Sequence, residues 1–137
     1  MSDTARDIMT PNAECVKENE TVAAAAAKMR DLGVGALPIC GTDDKLKGMI
    51  TDRDIAIAVV AEGTSADDTE VSELAAGTPV LVEADASADD VIAAMVDNQV
   101  RRIPVIEDKQ LVGMISVADI ARSLPDRAGD LIVALSE

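Results

Sequence analysis

Thr21–Ala56 reads TVAAAAAKMRDLGVGALPICGTDDKLKGMITDRDIA, and Ser87–Ala121 reads SADDVIAAMVDNQVRRIPVIEDKQLVGMISVADIA. Laid over one another at a shift of 66 positions, Met29 meets Met95, Val34 meets Val100 and Pro38 meets Pro104. One deletion later, Gly48-Met49-Ile50 meets Gly113-Met114-Ile115 and Asp54 meets Asp119. Upstream, Cys15-Val16 lies over Leu81-Val82. A pattern held in register over both stretches marks an internal repeat of about 55 residues, present twice. The expected organisation is repeat one with its N-terminal segment over 1–62, a polar linker over 63–75, repeat two over 76–125 and a C-terminal helix over 126–137.

Each copy carries the same elements. A short apolar strand is expected at Ala13–Lys17 and at Val80–Glu83. A helix follows, with Thr21 or Ser87 as its N-cap. In repeat one it covers Val22–Leu32, rich in the strong helix former Ala, and Gly33 suits its C-cap. Ala36–Cys40 and Arg102–Ile106 each contain a proline, which confines them to a strand edge or bulge. A turn then leads to Leu46–Ile50 or Leu111–Ile115, and a second helix starts near Asp52 or Val117. The fold class is α/β (α+β): two βαββα repeats, expected to pack as a pseudo-twofold pair because one unit alone cannot bury both helices and a small sheet.

Composition narrows the function. The chain has 137 residues, with 26 acids against 12 bases and a net charge of −14. That field repels nucleic acid and anionic membranes. With no Phe, Tyr or Trp there is no platform for stacking bases, and Leu, Ile, Val, Met and Ala must build the core. Met29, Met49, Met95 and Met114 are therefore expected in the core as gap fillers. The acidity is compatible with a high-salt cytoplasm, and equally with solubility or base composition. There is no apolar signal segment and no run long enough to span a membrane, so a cytoplasmic protein is expected. The absence of histidine removes the usual general base and the commonest metal ligand.

GALPIC and RRIPVI, followed by GMITDRDI and GMISVADI, resemble the CBS domain, and their tandem arrangement resembles a Bateman module. The resemblance covers about residues 5–125 and extends to small stand-alone CBS pairs, the hypoxic response protein type among them. It implies a regulatory module that takes an adenosine nucleotide such as AMP, ADP or ATP, requires no cofactor and acts in trans on a protein partner. It also implies a homodimer, since such pairs associate through their helices. No nucleophile has a recognisable base partner, so an enzyme is not expected.

In nucleotide-binding CBS families a G-h-x-[ST]-x-x-D stretch makes the contact. Here it falls on Gly48 to Asp54 and on Gly113 to Asp119. Thr51 or Ser116 would offer its hydroxyl beside free helix N–H groups, and Asp54 or Asp119 would accept from ribose hydroxyls. The same spacing is also that of a capping box. Ser87 to Asp90 repeats it, and there capping alone is expected.

The family geometry implies two clefts built jointly by the repeats. One would combine Ser116 and Asp119 with Arg101, Arg102, the stretch Thr10–Cys15, and Gly35, Ala36 and Leu37. The other would combine Thr51 and Asp54 with Thr78–Leu81 and Val100. An arginine pair suits a phosphate through charge-assisted bonds, although it can equally neutralise local acids. On this basis the Ser116–Asp119 cleft is expected to fill first. Arg53 is expected to face solvent or an acid.

The two cysteines, Cys15 and Cys40, fall on neighbouring strands of repeat one, where repeat two has the apolar pair Leu81 and Ile106. Two buried thiols or a disulfide are both open, and a bridge would favour the alternative of a ligand-free structural or stress-response protein. The segment Asp126–Leu135 is apolar at Leu131, Ile132 and Leu135, so one face needs cover.

Overall fold

The computed structural model describes residues 3–75 and 80–136. In chain order the elements are helix α1 (Ala5–Ile8), strands β1 (Thr10–Pro11) and β2 (Val16–Lys17), helix α2 (Val22–Leu32), strands β3 (Ala36–Cys40) and β4 (Leu46–Thr51), and helix α3 (Asp52–Ile55). Helix α3 runs on as a π-helical stretch over Ala56–Ala61, and a 3₁₀ turn covers Val71–Glu73. Then come β5 (Val82–Glu83), α4 (Ala88–Asp97), β6 (Arg102–Glu107), β7 (Gln110–Ser116), α5 (Val117–Ser123) and α6 (Pro125–Ala134). The chain forms two compact units. One is Glu14–Pro79, and the other joins the described residues of Met1–Ala13 to those of Val80–Glu137.

The first unit is repeat one. Its sheet runs β2-β3-β4, with β2 parallel to β3 and β3 antiparallel to β4. Helix α2 occupies the expected residues. The Thr21 hydroxyl accepts from the Ala24 N–H, and Gly33 closes the helix in the left-handed region at φ 69°. The N–H groups that open a helix have no partner within it. Here the linker supplies carbonyls: Val22 donates to Thr69 at 2.8 Å and Ala23 to Ala66 at 3.0 Å. The linker is thus tied to the repeat, and Val71 is buried in its core with Val16, Val22, Ala25, Met29, Leu37, Ile39 and Ile50.

The second unit has the sheet β1-β7-β6-β5, with β5 parallel to β6 and the other pairs antiparallel. Its core centres on Val91, Met95, Ile103, Val105, Ile115 and Ile120. Leu131 and Leu135 of the C-terminal segment complete it, while Ile132 stays exposed. Met29 and Met95 are buried as expected; Met49 and Met114 are only partly so.

The N-terminal segment, counted with repeat one in the sequence, makes its contacts in this second unit. Ala5 and Ile8 are buried in its core. The Ala5 N–H donates to Ala86 at 2.8 Å and the Arg6 N–H to Ala84 at 3.0 Å. Strand β1 lies antiparallel on β7, with Thr10 opposite Met114 and Pro11 opposite Gly113.

Candidate functional site

Both G-h-x-[ST]-x-x-D stretches end a strand and open a helix, at β4 to α3 and at β7 to α5. In both, the hydroxyl residue is the N-cap and the aspartate side chain folds back to its N–H, a complete capping box. Ser87 caps α4 by accepting from the Asp90 N–H at 3.1 Å, the role expected of it.

The two aspartates differ in what else they hold. The Thr51 N–H donates to Asp54 Oδ2 at 3.0 Å, and the Asp54 N–H donates to Thr51 Oγ1 at 3.1 Å. Among the described residues nothing donates to the other carboxylate oxygen, and Asp54 is half-buried. A carboxylate offers about four lone-pair sites, so most of its acceptor capacity is open.

Asp119 is 4% exposed. Its Oδ2 accepts from the Ser116 N–H at 2.8 Å and from the Ser116 hydroxyl at 3.1 Å. Its Oδ1 accepts from the Thr10 hydroxyl at 3.1 Å and from the Arg122 guanidinium. Four donors fill the sites a carboxylate has. The turn expected to take ligand first therefore has its acceptor already engaged.

The arginine pair separates. Arg101 donates to the Leu135 carbonyl at 3.1 Å and so closes the end of α6, where Gln99 also donates to the Ala134 carbonyl at 3.2 Å. Cationic donors at the last carbonyls of a helix satisfy groups that lack partners there. Arg101, matched in sequence to a ligand position, is thus engaged with the C-terminal helix. Arg102 is exposed at the start of β6, and Val100 is half-buried. Arg53 is exposed on α3, as expected.

In repeat one, Ala36 lies opposite Thr51. The Asp52 N–H donates to the Gly35 carbonyl at 2.9 Å. A side chain at Gly35 would stand 3.0 Å from the Asp52 carboxylate, so glycine lets that carboxylate approach. A cavity of about 400 Å³ opens beside this turn, lined by Met29, Arg30, Gly33, Gly35, Asp52 and Ile55 among others. Thr78 lies outside the described residues.

Cys15 and Cys40 are both free thiols. The pairing of Lys17 with Cys40 across β2 and β3 puts Cys15, two residues before Lys17, on the same strand face. Cys40 is 2% exposed. Burial, and then the Cys15 thiol beside it, push its pKa up to about 12. The sequence left a bridge and two thiols open; the structure has the thiols adjacent and unbridged.

The CBS domain model matches residues 5–61 and 71–126, and the chain belongs to the CBS domain family as a tandem pair. It is 50% identical over 125 residues to hypoxic response protein 1 of Mycobacterium tuberculosis, covering 91% of this chain and 87% of that protein. The crystal structure of Hypoxic Response Protein I with two coordinated zinc ions superposes with a TM-score of 0.84 at 50% identity, over 90% of this chain and all of that one. CBSX2 in complex with AMP superposes at 0.76 with 22% identity, over 90% and 96% of the two chains, a likeness of fold.

Zinc is held by four donors in closed sites and by three protein donors in open ones. This chain has no histidine and two cysteines in its whole length. Among the described residues no three Cys, Asp or Glu side chains gather as metal ligands. The Cys15–Cys40 pair supplies two sulfurs at most, so the residues do not fit a zinc centre. No helix among the described residues is long and apolar enough to cross a membrane.

Proposed function

We propose that this chain is a cytoplasmic, non-catalytic regulatory module that binds an adenosine-containing nucleotide at the Thr51-to-Asp54 turn and acts in trans as a homodimer. The observation that supports this most is the open carboxylate of Asp54. It sits beside a hydroxyl cap at the end of β4, half-buried, with acceptor sites uncommitted among the described residues. A ribose diol needs such an acceptor, and a phosphate is favoured by the N–H groups and dipole at the start of a helix. Ala36 stands across from Thr51 and the Gly35 carbonyl accepts from the Asp52 N–H, which holds the backbone beside the turn in place. The AMP complex of CBSX2 adds a precedent within the fold.

Thermal shift with AMP, ADP, ATP and S-adenosylmethionine tests it. A ligand at 100 times its dissociation constant adds about 2.7 kcal/mol of stability, and Asp54→Ala should remove that gain. No shift with any nucleotide, or an undiminished shift in the variant, overturns the reading.

The adjacency of Cys15 and Cys40 supports a second reading, a ligand-free interaction protein stabilised by a disulfide under oxidising conditions. A closed loop of about 25 residues gives roughly 3 kcal/mol in the entropic account. Intact mass without reductant decides it: loss of two hydrogen atoms, taken up by diamide as oxidant, supports the bridge, and two alkylatable thiols after oxidation with diamide exclude it.

A further inference from the structure

The N-terminal segment is held firmly at one end and weakly at the other. At Ala5 and Ile8 it is anchored by burial and by bonds to the carbonyls of Ala84 and Ala86. At β1 it thins to two exposed residues, Thr10 and Pro11. Proline has no N–H to give to the β7 ladder. Asn12 follows with φ 58°, and its N–H reaches the Val112 carbonyl at 3.2 Å. The side-chain tie at this thin end is the Thr10 hydroxyl on Asp119 Oδ1. Arg122 closes on the same oxygen from the next turn of α5. Repeat one has Ile57 in the place of Arg122, and Asp54 carries no such tie among the described residues.

We propose that residues 4–12 form a strap fastened by Asp119, and that the fastening closes the second repeat's turn to ligand. Asp119 is then a positioning residue of the N-terminal segment. Its acceptor sites become available when Thr10 and Arg122 let go. The two repeats, matched in sequence, are thereby unequal: one aspartate is offered outward and the other is spent on the chain's own first residues. The closure half rests on the nucleotide reading above; the strap itself does not.

Hydrogen exchange on the full chain tests the strap, with the Asn12 amide as reporter. Thr10→Val and Asp119→Asn should each speed its exchange at least tenfold, while Asp54→Asn leaves it unchanged. An unaltered Asn12 rate in Thr10→Val overturns the tie, and an equal acceleration in Asp54→Asn overturns its specificity to repeat two. Calorimetric titration with AMP and ATP then tests the closure. Thr10→Val with Arg122→Ala, both in an Asp54→Asn background, should bind at least tenfold tighter than Asp54→Asn alone. No gain refutes the closure. If neither the parent nor any variant binds nucleotide, the nucleotide reading fails and the closure with it, whereas the exchange result still decides the strap.

Discussion

Replacing Gly113 with alanine places a methyl group under the strap. The new Cβ would lie 2.8 Å from the Thr10 carbonyl oxygen, and closer still to the sulfur of Met9. The Met9 side chain can swing aside, but a backbone carbonyl moves only with its strand. Ordinary contact needs roughly 0.6 Å more, so β1 must lift from β7 or the sheet must strain. Overpacking of this kind costs about 1–3 kcal/mol. Removing a glycine from a strand returns about 0.5–1 kcal/mol, which leaves a net loss centred near about 1 kcal/mol and reaching at most about 2.5 kcal/mol. At about 2.1 cal/mol/K per residue the unfolding entropy of this chain is near 0.29 kcal/mol/K, so Tm should fall by about 4 °C, and by no more than about 9 °C. Gly48 is the internal control. Among the described residues a Cβ there meets only the methyl of Ala75, at 3.2 Å, and Gly48→Ala should stay within about 0.5 kcal/mol of the parent. Urea unfolding followed by far-ultraviolet circular dichroism, with Tm alongside, measures both. Gly113→Ala as stable as Gly48→Ala would refute the view that the strap needs bare backbone beneath it.

Three further outcomes are expected. Cys40 should resist iodoacetamide at pH 8 while the half-exposed Cys15 reacts. Burial raises the Cys40 pKa, so the fold favours the neutral thiol, a contribution complete below the ordinary value of 9.0 and lost as pH climbs toward about 12; equal labelling rates by mass spectrometry would contradict this. Dialysed against a slight excess of zinc and then zinc-free buffer, the chain should retain far less than one ion per molecule, and a stoichiometric metal content would show donors that two thiols do not explain. Arg101→Ala should fray the end of α6, losing about 1 kcal/mol for the hydrogen bond and speeding exchange at Leu135, whose N–H donates to the Leu131 carbonyl; unchanged exchange there would mean the guanidinium holds nothing.

The repeat was legible because its register is written in kinds of residue that folding constrains. Pro38 and Pro104, the paired glycines and the hydroxyl caps each fix backbone geometry, and α2 begins and ends where Thr21 and Gly33 place it. Strands were harder. The expected Ala13–Lys17 shrinks to Val16–Lys17, since pairing with β3 rather than apolar character decides where a strand starts. Nothing local in TARDIMTP says which repeat it will join: Thr10 faces Met114 across about a hundred positions, and only the family resemblance, which set Thr10–Cys15 beside Ser116 and Asp119, pointed to the second repeat. Arg101 makes a contact that the sequence is equally silent about. Its neighbourhood in sequence matches a ligand position, while its partner, the Leu135 carbonyl, is backbone and leaves no mark in the residue pattern. Asp119 and Arg122 were three apart on one helix face, a pairing the spacing does signal; the ribose role suggested by the family drew attention elsewhere.

The second unit is assembled from both ends of the chain, and this bears on how it is made. Thr4–Asn12 leave the ribosome well before β7, on which that segment must lie and which emerges about a hundred residues later. At about 5–20 residues per second the strap waits about 5–20 seconds for its partner. Repeat one, contiguous over Glu14–Pro79, can fold in that interval. Once folded, it leaves less free chain between the two parts of the second unit, which lowers the entropy lost when they meet. Completing the second unit is then the capture of residues 4–12 by a strand made about a hundred residues later, and a chain stalled before β7 would leave Thr10 and Pro11 without their strand partner.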